Sequence, residues 1–463
     1  MTTCHDSDPL KSPVFDPLRE FLRARRAGAP ASGQEFEEFE RELRTVLHGV
    51  EKELVREELV HLDISDEQVR IGAKIYRRVA FSEATYLTAA GPISLKRHLF
   101  EAKGEHHAVC PVELRAGIVE GEYTPLAARL MARVMSEMPS DQAESLFEEF
   151  GGMKPSGSAL DRLPKKLSAR WEAHRKEWEA ALRKPEPIPQ EAASCAASLD
   201  GVLVPMNTSE ARENQAASGK EPKGPADYRE VGCATISFYD AEGTRLLTRR
   251  FARMPETGMT TLCDQLQAEW KKIHSLRPDL RLVRLSDGAE GNWNRLRVLK
   301  AKKATEIEDF FHAAEHLQVG ADAVFGEGTL EAKRFFETYR QRLRDETDGV
   351  EAVIRALSYR AKTMRKGRKK VRAVLAYFRK RRRRMRYAQY QKRGLPIGTG
   401  VTEAACKTLA SQRMKRSGMR WGMVGGQAVL TLRSLIQSER WPRGWTLLRA
   451  SYCADVQPVL RRA

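Results

Sequence analysis

Along residues 35–62 (EFEEFERELRTVLHGVEKELVREELVHL), apolar side chains recur at three- and four-residue steps: Phe36, Phe39, Leu43, Val46, Leu47, Val50, Leu54 and Val55. That spacing gathers them on one stripe and predicts an amphipathic helix. In EATYLTAAGPISLKRHLFEA (83–102) the period drops to two on both sides of Gly91-Pro92, which predicts a hairpin or pair of strands. Residues 124–183 return to helical spacing. Thr124-Pro125 supplies a capping residue and then a proline that needs no amide partner in the first turn. A second helix starts near Ser140-Asp141 and stops at Gly151-Gly152, and a third runs through KKLSARWEAHRKEWEAALRK with Trp171 and Trp178. Three helices with a cationic third fit a helix-turn-helix reader of DNA, and fit a plain helical bundle equally.

The pattern changes after RKPEPIPQ (183–190), whose three prolines in five residues read as a linker. CAASLDGVLVPM (195–206), EVGCATISFYD (230–240) and TRLLTRRFARM (244–254) read as strands, the last two joined by the Ala241-Glu242-Gly243 turn. TTLCDQLQAEWKKIHSL (260–276) is helical and LRLVRLSDG (280–288) is a strand ending on an acidic turn. Three strands, a helix, then a further strand is the order of a ribonuclease-H-like α/β domain, a meander continued by parallel crossovers. From 309 to 397 the spacing is helical throughout, and strand patterning does not return before the carboxy terminus. The expected architecture is therefore multidomain, α/β plus all-α. It comprises a helical region with a small hairpin (1–120), a helix-turn-helix-like DNA-binding region (121–183) and a linker (184–194). A ribonuclease-H-like domain (195–308 and 398–445) follows, interrupted by a basic helical insertion (309–397).

Charge sharpens that division. Of 463 residues, 80 are Lys or Arg and 62 Asp or Glu, and the formal +18 is matched by residues 355–393 alone, which hold 18 Lys and Arg and no acid. The partner-seeking surface is one segment. No stretch approaches the roughly 18 apolar residues of a membrane span, and MTTCHDSDPLKSPVFD lacks a basic-then-apolar secretory signal. Seven scattered cysteines without a Cys-x-x-Cys argue against a disulfide framework. A cytoplasmic, nucleoid-associated protein is expected.

Three acids stand where a sheet edge and a helix can meet. Asp200 ends an apolar strand before Gly201, Asp287 ends another before Gly288-Ala289, and Glu403 sits in the first turn of a helix introduced by Gly398-Thr399-Gly400-Val401. Hard oxygen ligands, few in number and with room for water and phosphate oxygens, are what Mg²⁺ requires. Two such ions about 4 Å apart can activate a nucleophile and stabilise a leaving oxygen. Asp200 would be shared, Asp287 completing one ion and Glu403 the other. Singly, an Asp before Gly is more often a turn former. Asp309, three residues before His312, is a rival for the second position, though the strand after the long crossover helix lies beside the central strand and favours Asp287. His312 either touches the scissile phosphate or caps and packs. His316, one turn on, is not needed as a ligand for Mg²⁺.

GTGVTEAACKTLASQRMKRSGMRWGMVGGQAVLTLRSLIQSERW (398–441) resembles the carboxy-terminal block of bacterial insertion-sequence transposases of the ISKra group, and with SLDGVLVPM, YREVGCATISFYDAEG, SDGAEGNW and DFFHAAEHL the resemblance spans roughly residues 195–445. The resemblance implies a DDE transposase, more loosely similar to Mutator-type elements. It implies cleavage at terminal inverted repeats and strand transfer to target DNA with two Mg²⁺ or Mn²⁺ ions, and an acidic triad on Asp200, Asp287 and Glu403 at intervals of 87 and 116 residues. Many of the group carry amino-terminal cysteine pairs. Here HLFEAKGEHHAVCPVELRAGI offers Cys110, His106 and His107 without a second cysteine, so no structural zinc is expected.

In the basic insertion Tyr359, Tyr377, Phe378, Tyr387 and Tyr390 are interleaved with Arg360, Arg365, Lys369, Lys370, Arg372 and the run Arg379 to Arg384, which includes Arg381, Arg382 and Arg383. Cations there would neutralise phosphates while aromatics stack on unpaired bases or anchor the helix. Lys407, Arg413, Lys415, Arg416 and Arg420 would hold the backbone near the ions, whereas Trp421 and VLTLRSLI build core. The expected partners are double-stranded element ends and target DNA and a second copy of the chain, through the helix at 35–62. Two competing readings remain: a transposase-derived DNA-binding protein or repressor without catalysis, and a junction-resolving or repair nuclease.

Overall fold

The computed structural model describes residues 13–27, 33–207, 228–300, 304–364 and 366–459. The chain divides into two compact units, residues 1–178 with 442–463, and residues 179–441.

In the first unit α1 (Asp16–Arg26) and α2 (Gly33–His61) are followed by β1 (Gln68–Ile71), β2 (Lys74–Thr88) and β3 (Gly91–Ala102). The helix expected at 35–62 is present, but its stripe is only partly used. Val50 and Leu59 are buried, Phe39 stacks on Phe21 of α1, and Phe36, Leu47 and Leu54 stay exposed. The hairpin turns at Gly91 as its alternation requires, with Tyr86, Ile93 and Leu95 in one core and Phe100, on the other face, packed with Val69, Tyr76 and Ala102. It is no small hairpin, however. β2 reaches back to Lys74, and the strands join a four-stranded antiparallel sheet in the order β3-β2-β1-β9, whose edge is β9 (Val456–Pro458). The amino-terminal region is thus α and β together, and strand structure does return at the carboxy end.

After α3 (Pro111–Ala116) come the three expected helices, α4 (Pro125–Glu137), α5 (Ser140–Phe150) and α6 (Gly157–Arg183). α4 buries Ala127, Ala128, Met131 and Ala132, and α6 buries Leu160, Leu163, Leu167 and Trp171. Four cations of α6 are paired with acids. Arg162 pairs with Glu122 at 2.7 Å, Lys165 with Asp161 at 2.6 Å, Lys166 with Glu120 at 3.2 Å and Arg175 with Glu172 at 3.4 Å.

The second unit is built on a five-stranded mixed sheet in the order β6-β5-β4-β7-β8, with β4 (Ser194–Pro205), β5 (Tyr228–Tyr239), β6 (Arg245–Arg253), β7 (Arg281–Ser286) and β8 (Thr305–Glu308). β4, β5 and β6 form an antiparallel meander; β7 and β8 add in parallel after crossovers through α7 (Thr260–Leu276) and α8 (Glu290–Leu296). Alternate residues divide between two cores. Cys195, Ala197 and Leu199 pack with Leu262, Leu266 and Trp270 of α7, while Ala196, Val283, Leu285 and Ile307 pack on the opposite face. That face is covered by α9 (Phe310–Phe325), α10 (Leu330–Asp345), α11 (Gly349–Thr363) and α12 (Arg368–Arg381), with the short α13 (Tyr387–Gln391). The helical segment 309–397 is therefore one wall of the sheet's own core. α14 (Gly400–Ala405), a π-helical turn (Cys406–Ser411) and α15 (Met423–Gln437) close the end of the sheet around Val204, Val231 and Met254.

The expected linker is corrected as well. Glu186 is buried and takes two bonds from Arg440, at 2.7 and 2.6 Å, in a cluster that includes Arg249 and Glu269. A buried carboxylate needs such partners, and this one ties the proline-rich segment to the second unit. Among the described residues, no helix is long and apolar enough to cross a membrane.

Candidate functional site

Asp200, Asp287 and Glu403 line one cleft of about 230 Å³ together with Leu199, Phe311, His312, Glu315 and Thr399. Three separate mechanisms bring the carboxylates there. Asp200 does not end its strand; β4 continues to Pro205, and Asp200 faces Cys233 of β5. Its backbone position comes from the parallel register Ser198↔Leu285, which two residues further sets Asp200 beside Asp287. Asp287 follows β7 directly, and its Oδ1 receives the Ala289 amide at 3.1 Å, the Ser286 hydroxyl at 3.1 Å and the Asn292 amide group at 3.3 Å. Glu403 lies in the first turn of α14, which is anchored to β5 by a buried 2.7 Å hydrogen bond between the Thr402 and Thr235 hydroxyls.

Asp309 has a different task. It is 1% exposed, caps α9 by accepting the His312 amide at 2.8 Å, and accepts both the amide and the hydroxyl of Thr399. Its oxygens accept hydrogen bonds within the fold, and it is not among the residues that line the cleft with Asp287. The Thr399 hydroxyl also lies 2.8 Å from Glu403 Oε1, so Asp309 acts on the cleft by fixing the Gly398-Thr399-Gly400 entry. A Cβ at Gly398 would come 2.8 Å from the ring of Phe311, so a larger residue there would push that exposed ring aside. His312 does line the cleft, with Nδ1 3.2 Å from Glu315, whereas His316 stacks on Tyr377 at 3.7 Å and belongs to the packing.

The electrostatics are those of crowded acids. Burial, and then the charges of Asp287, Glu230 and Glu403, push the Asp200 carboxyl above its ordinary value, while the Gly201 amide, 2.7 Å from Oδ1, opposes the rise. The π-helical turn after α14 sets the Cys406 thiol 3.9 Å from Asp200 Oδ2. Among the described residues no three His, Cys, Asp or Glu side chains close on a single point. What the cleft offers a cation is hard oxygen donors, the carboxylates of Asp200, Asp287 and Glu403 along one lining. Hard carboxylate oxygens are the donor type that Mg²⁺ or Mn²⁺ takes.

Several cleft residues were not singled out from sequence. Glu315 follows His312 by three residues, a helical spacing that could have revealed it. Phe311, 54% exposed beside the acids, carries no periodic signal. Glu230 approaches Asp200 only through the β4–β5 register.

The expected DNA-contacting cations separate into three kinds. Lys369, Lys370, Arg372, Arg382 and Arg383 are exposed and make no ion pair among the described residues, outside which Arg365 lies. Lys415 and Arg416 are exposed and line a second cleft of about 330 Å³ with Tyr228 and Arg420. Arg413, by contrast, is 3% exposed, with its guanidinium over Trp421, and holds no phosphate-facing position. Arg381 is likewise engaged inside the fold, pairing with Glu308 at 2.9 Å. The interleaved aromatics are corrected too: Tyr377, Phe378, Tyr387 and Tyr390 are buried among Phe310, Val371 and Leu375, and only Tyr359, 65% exposed, presents its ring to solvent. No protein-family model matches the chain, and no characterised protein matches it.

Proposed function

We propose that the second unit is a ribonuclease-H-like DDE transposase domain that cuts and joins DNA at the ends of its own mobile element. The observation that carries this reading is the meeting of Asp200, Asp287 and Glu403, far apart in the chain, on one cleft at the end of the central strands. The meander-then-parallel strand order supports the fold assignment, and the resemblance of residues 195–445 supports the reaction. Asp200 with Asp287 would hold one Mg²⁺ or Mn²⁺ and Asp200 with Glu403 a second; bound ions supply Lewis acidity and a deprotonated oxygen nucleophile.

The chain's own residues prepare that chemistry. Ser286, Ala289 and Asn292 hold Asp287 by a single oxygen. Asp309 fixes the Thr399 amide and hydroxyl, and so sets the start of the helical turn that carries Glu403. Lys369, Lys370, Arg372, Arg382 and Arg383 supply unpaired charge for the phosphate backbone of double-stranded DNA. Two element ends in one complex call for two copies of the chain, and the exposed Phe36, Leu47 and Leu54 of α2 are the proposed contact.

The test is cleavage and joining of a labelled duplex bearing the element's terminal repeat, with Mg²⁺, with EDTA, and with Glu403→Gln. Metal-dependent nicking and joining that Glu403→Gln abolishes without loss of DNA binding is the expected result. Binding without a nick under every condition would establish instead a transposase-derived DNA-binding protein, and cleavage without joining a nuclease.

A further inference from the structure

The end of the basic helix does something other than bind nucleic acid. Arg381, the last residue of α12, reaches across to the turn that carries Asp287: its Nη2 donates to the carbonyl of Gly288 at 2.7 Å, and its Nε lies 2.9 Å from Glu308 Oε1. Glu308 is fully buried at the end of β8, beside Ser286 in the parallel register. Tyr377 donates to the same Oε1 at 3.3 Å, and the Arg381 guanidinium lies over the Tyr377 ring at 4.4 Å. Gly288 completes the arrangement. Its φ is +93°, and a Cβ would fall 2.2 Å from Glu308 Oε1, so only glycine lets the turn lie against the buried acid.

The neighbours reinforce the grip. Lys380 pairs with Glu290 at 3.1 Å, and Arg384 spans Glu306 at 2.7 Å and the ring of buried Trp293 at 3.9 Å. Residues 288, 290 and 293 are thus each held by a cation from 380–384. A planar guanidinium holds the carbonyl and the carboxylate in one fixed geometry through two donor edges, whereas an ammonium is a point charge on a flexible stem whose donors fix no such plane.

We infer that Arg381 is a positioning residue, which with Glu308 and Tyr377 locks the Gly288 turn and so fixes Asp287 toward the cleft. The placement of the turn stands on its own geometry; its consequence for metal binding rests on the proposed function. The arrangement also explains why a cation in the most basic run of the chain is turned inward, while Arg382 and Arg383 beside it face solvent.

The experiment compares Arg381→Gln, Arg381→Lys and Arg383→Ala in the full chain, reading amide hydrogen exchange, Mn²⁺ affinity by calorimetry, and the salt dependence of binding to a short duplex. Both Arg381 variants should speed exchange of the amides at 289, 292 and 293 about tenfold and leave the remainder of the sheet protected. They should weaken Mn²⁺ about 10- to 100-fold, the usual range for loss of an orienting partner. Arg383→Ala should leave exchange and Mn²⁺ unchanged and reduce the salt slope by about one. Wild-type exchange in both Arg381 variants, with a reduced salt slope in Arg381→Gln, would overturn the inference and return Arg381 to the DNA contacts. Should Arg381→Gln fail to fold, Gly288→Ala disrupts the same clasp from the turn side and should give the same localised exchange; protection there would overturn it equally. A wild-type chain that binds no Mn²⁺ would remove the metal reading, while the exchange data still decide the clasp.

Discussion

At the residue scale, the cost of the candidate site is concentrated on Asp200. Its carboxyl is raised by burial and by three neighbouring acids, so the charged form is disfavoured in the folded chain. A carboxyl raised by folding contributes stability that is present below its unfolded value and lost as pH rises through the folded one. Without divalent ions, Asp200→Asn should therefore stabilise the second unit at neutral pH by about 1 kcal/mol and flatten its stability against pH, a gain of the kind seen when a functional residue is neutralised. Mg²⁺ should raise the melting temperature of the wild type and not that of Asp200→Asn. Calorimetry with and without the ion checks both, and a variant less stable than wild type would show that Asp200 is structural. Glu308 has the same sign. Burial lifts its carboxyl to about 7 against the pull of Arg381, Arg384, Tyr377 and Trp293. The stability it contributes is complete below about pH 4.5 and is lost as pH rises toward about 7, so Glu308→Gln should remove up to ~3 kcal/mol of pH dependence across that window. Urea unfolding at pH 5 and pH 8 measures it.

At the scale of elements, α12 separates stability from charge. Val371, Val374, Leu375 and Phe378 enter the core that covers the sheet, and Lys369, Lys370 and Arg372 face outward. Phe378→Ala should cost about 3–5 kcal/mol, as for other fully buried aromatics. Changing Lys369, Lys370 and Arg372 together to Ala should shift stability by less than about 0.5 kcal/mol per site, since exposed positions carry little energy. The same triple change should lower duplex affinity and reduce the slope of log affinity on log salt by up to about 3. Denaturant melts and a salt titration distinguish the two faces. Periodicity made α2, the β2–β3 turn and the order from β4 to β7 legible, because one covered face imposes its period on the chain. It failed where both faces or neither are covered. The polar half of β2 (KIYRRVAFS) has little to alternate, so the sheet looked like a hairpin. β4 is flanked by helices and the α14 segment, so its apolar run did not reveal that Asp200 lies mid-strand. Interleaved tyrosines and arginines looked like a base-stacking surface, yet Tyr377, Tyr387 and Tyr390 fill the core and Arg381 faces inward. Composition cannot distinguish these, since long cationic side chains and aromatic rings serve either purpose.

At the scale of the molecule, the division of the chain is not the linear one its composition suggests. Prolines at 185–189 look like a boundary, but Glu186 is held by Arg440 and Arg249, and a buried carboxylate with two guanidiniums resists release. The carboxy-terminal residues return to the first unit instead. Val456 is buried where β9 pairs with β1, the Tyr452 hydroxyl donates to Glu120 at 2.6 Å, and Arg170 lies over the Tyr452 ring at 3.9 Å. Such closure by the chain end is invisible to local patterning, because a three-residue strand has no period. It makes a definite demand on stability. A chain ending at residue 441 loses the edge strand over Val69 and the Tyr452 contacts, so the first unit should unfold at markedly lower denaturant. The acids of the cleft, all between residues 200 and 403, should keep their response to Mg²⁺. Two unfolding transitions, of which truncation moves only the one insensitive to Mg²⁺, are the expected outcome. A truncated chain in which Mg²⁺ no longer stabilises anything would mean that the cleft depends on residues beyond the second unit.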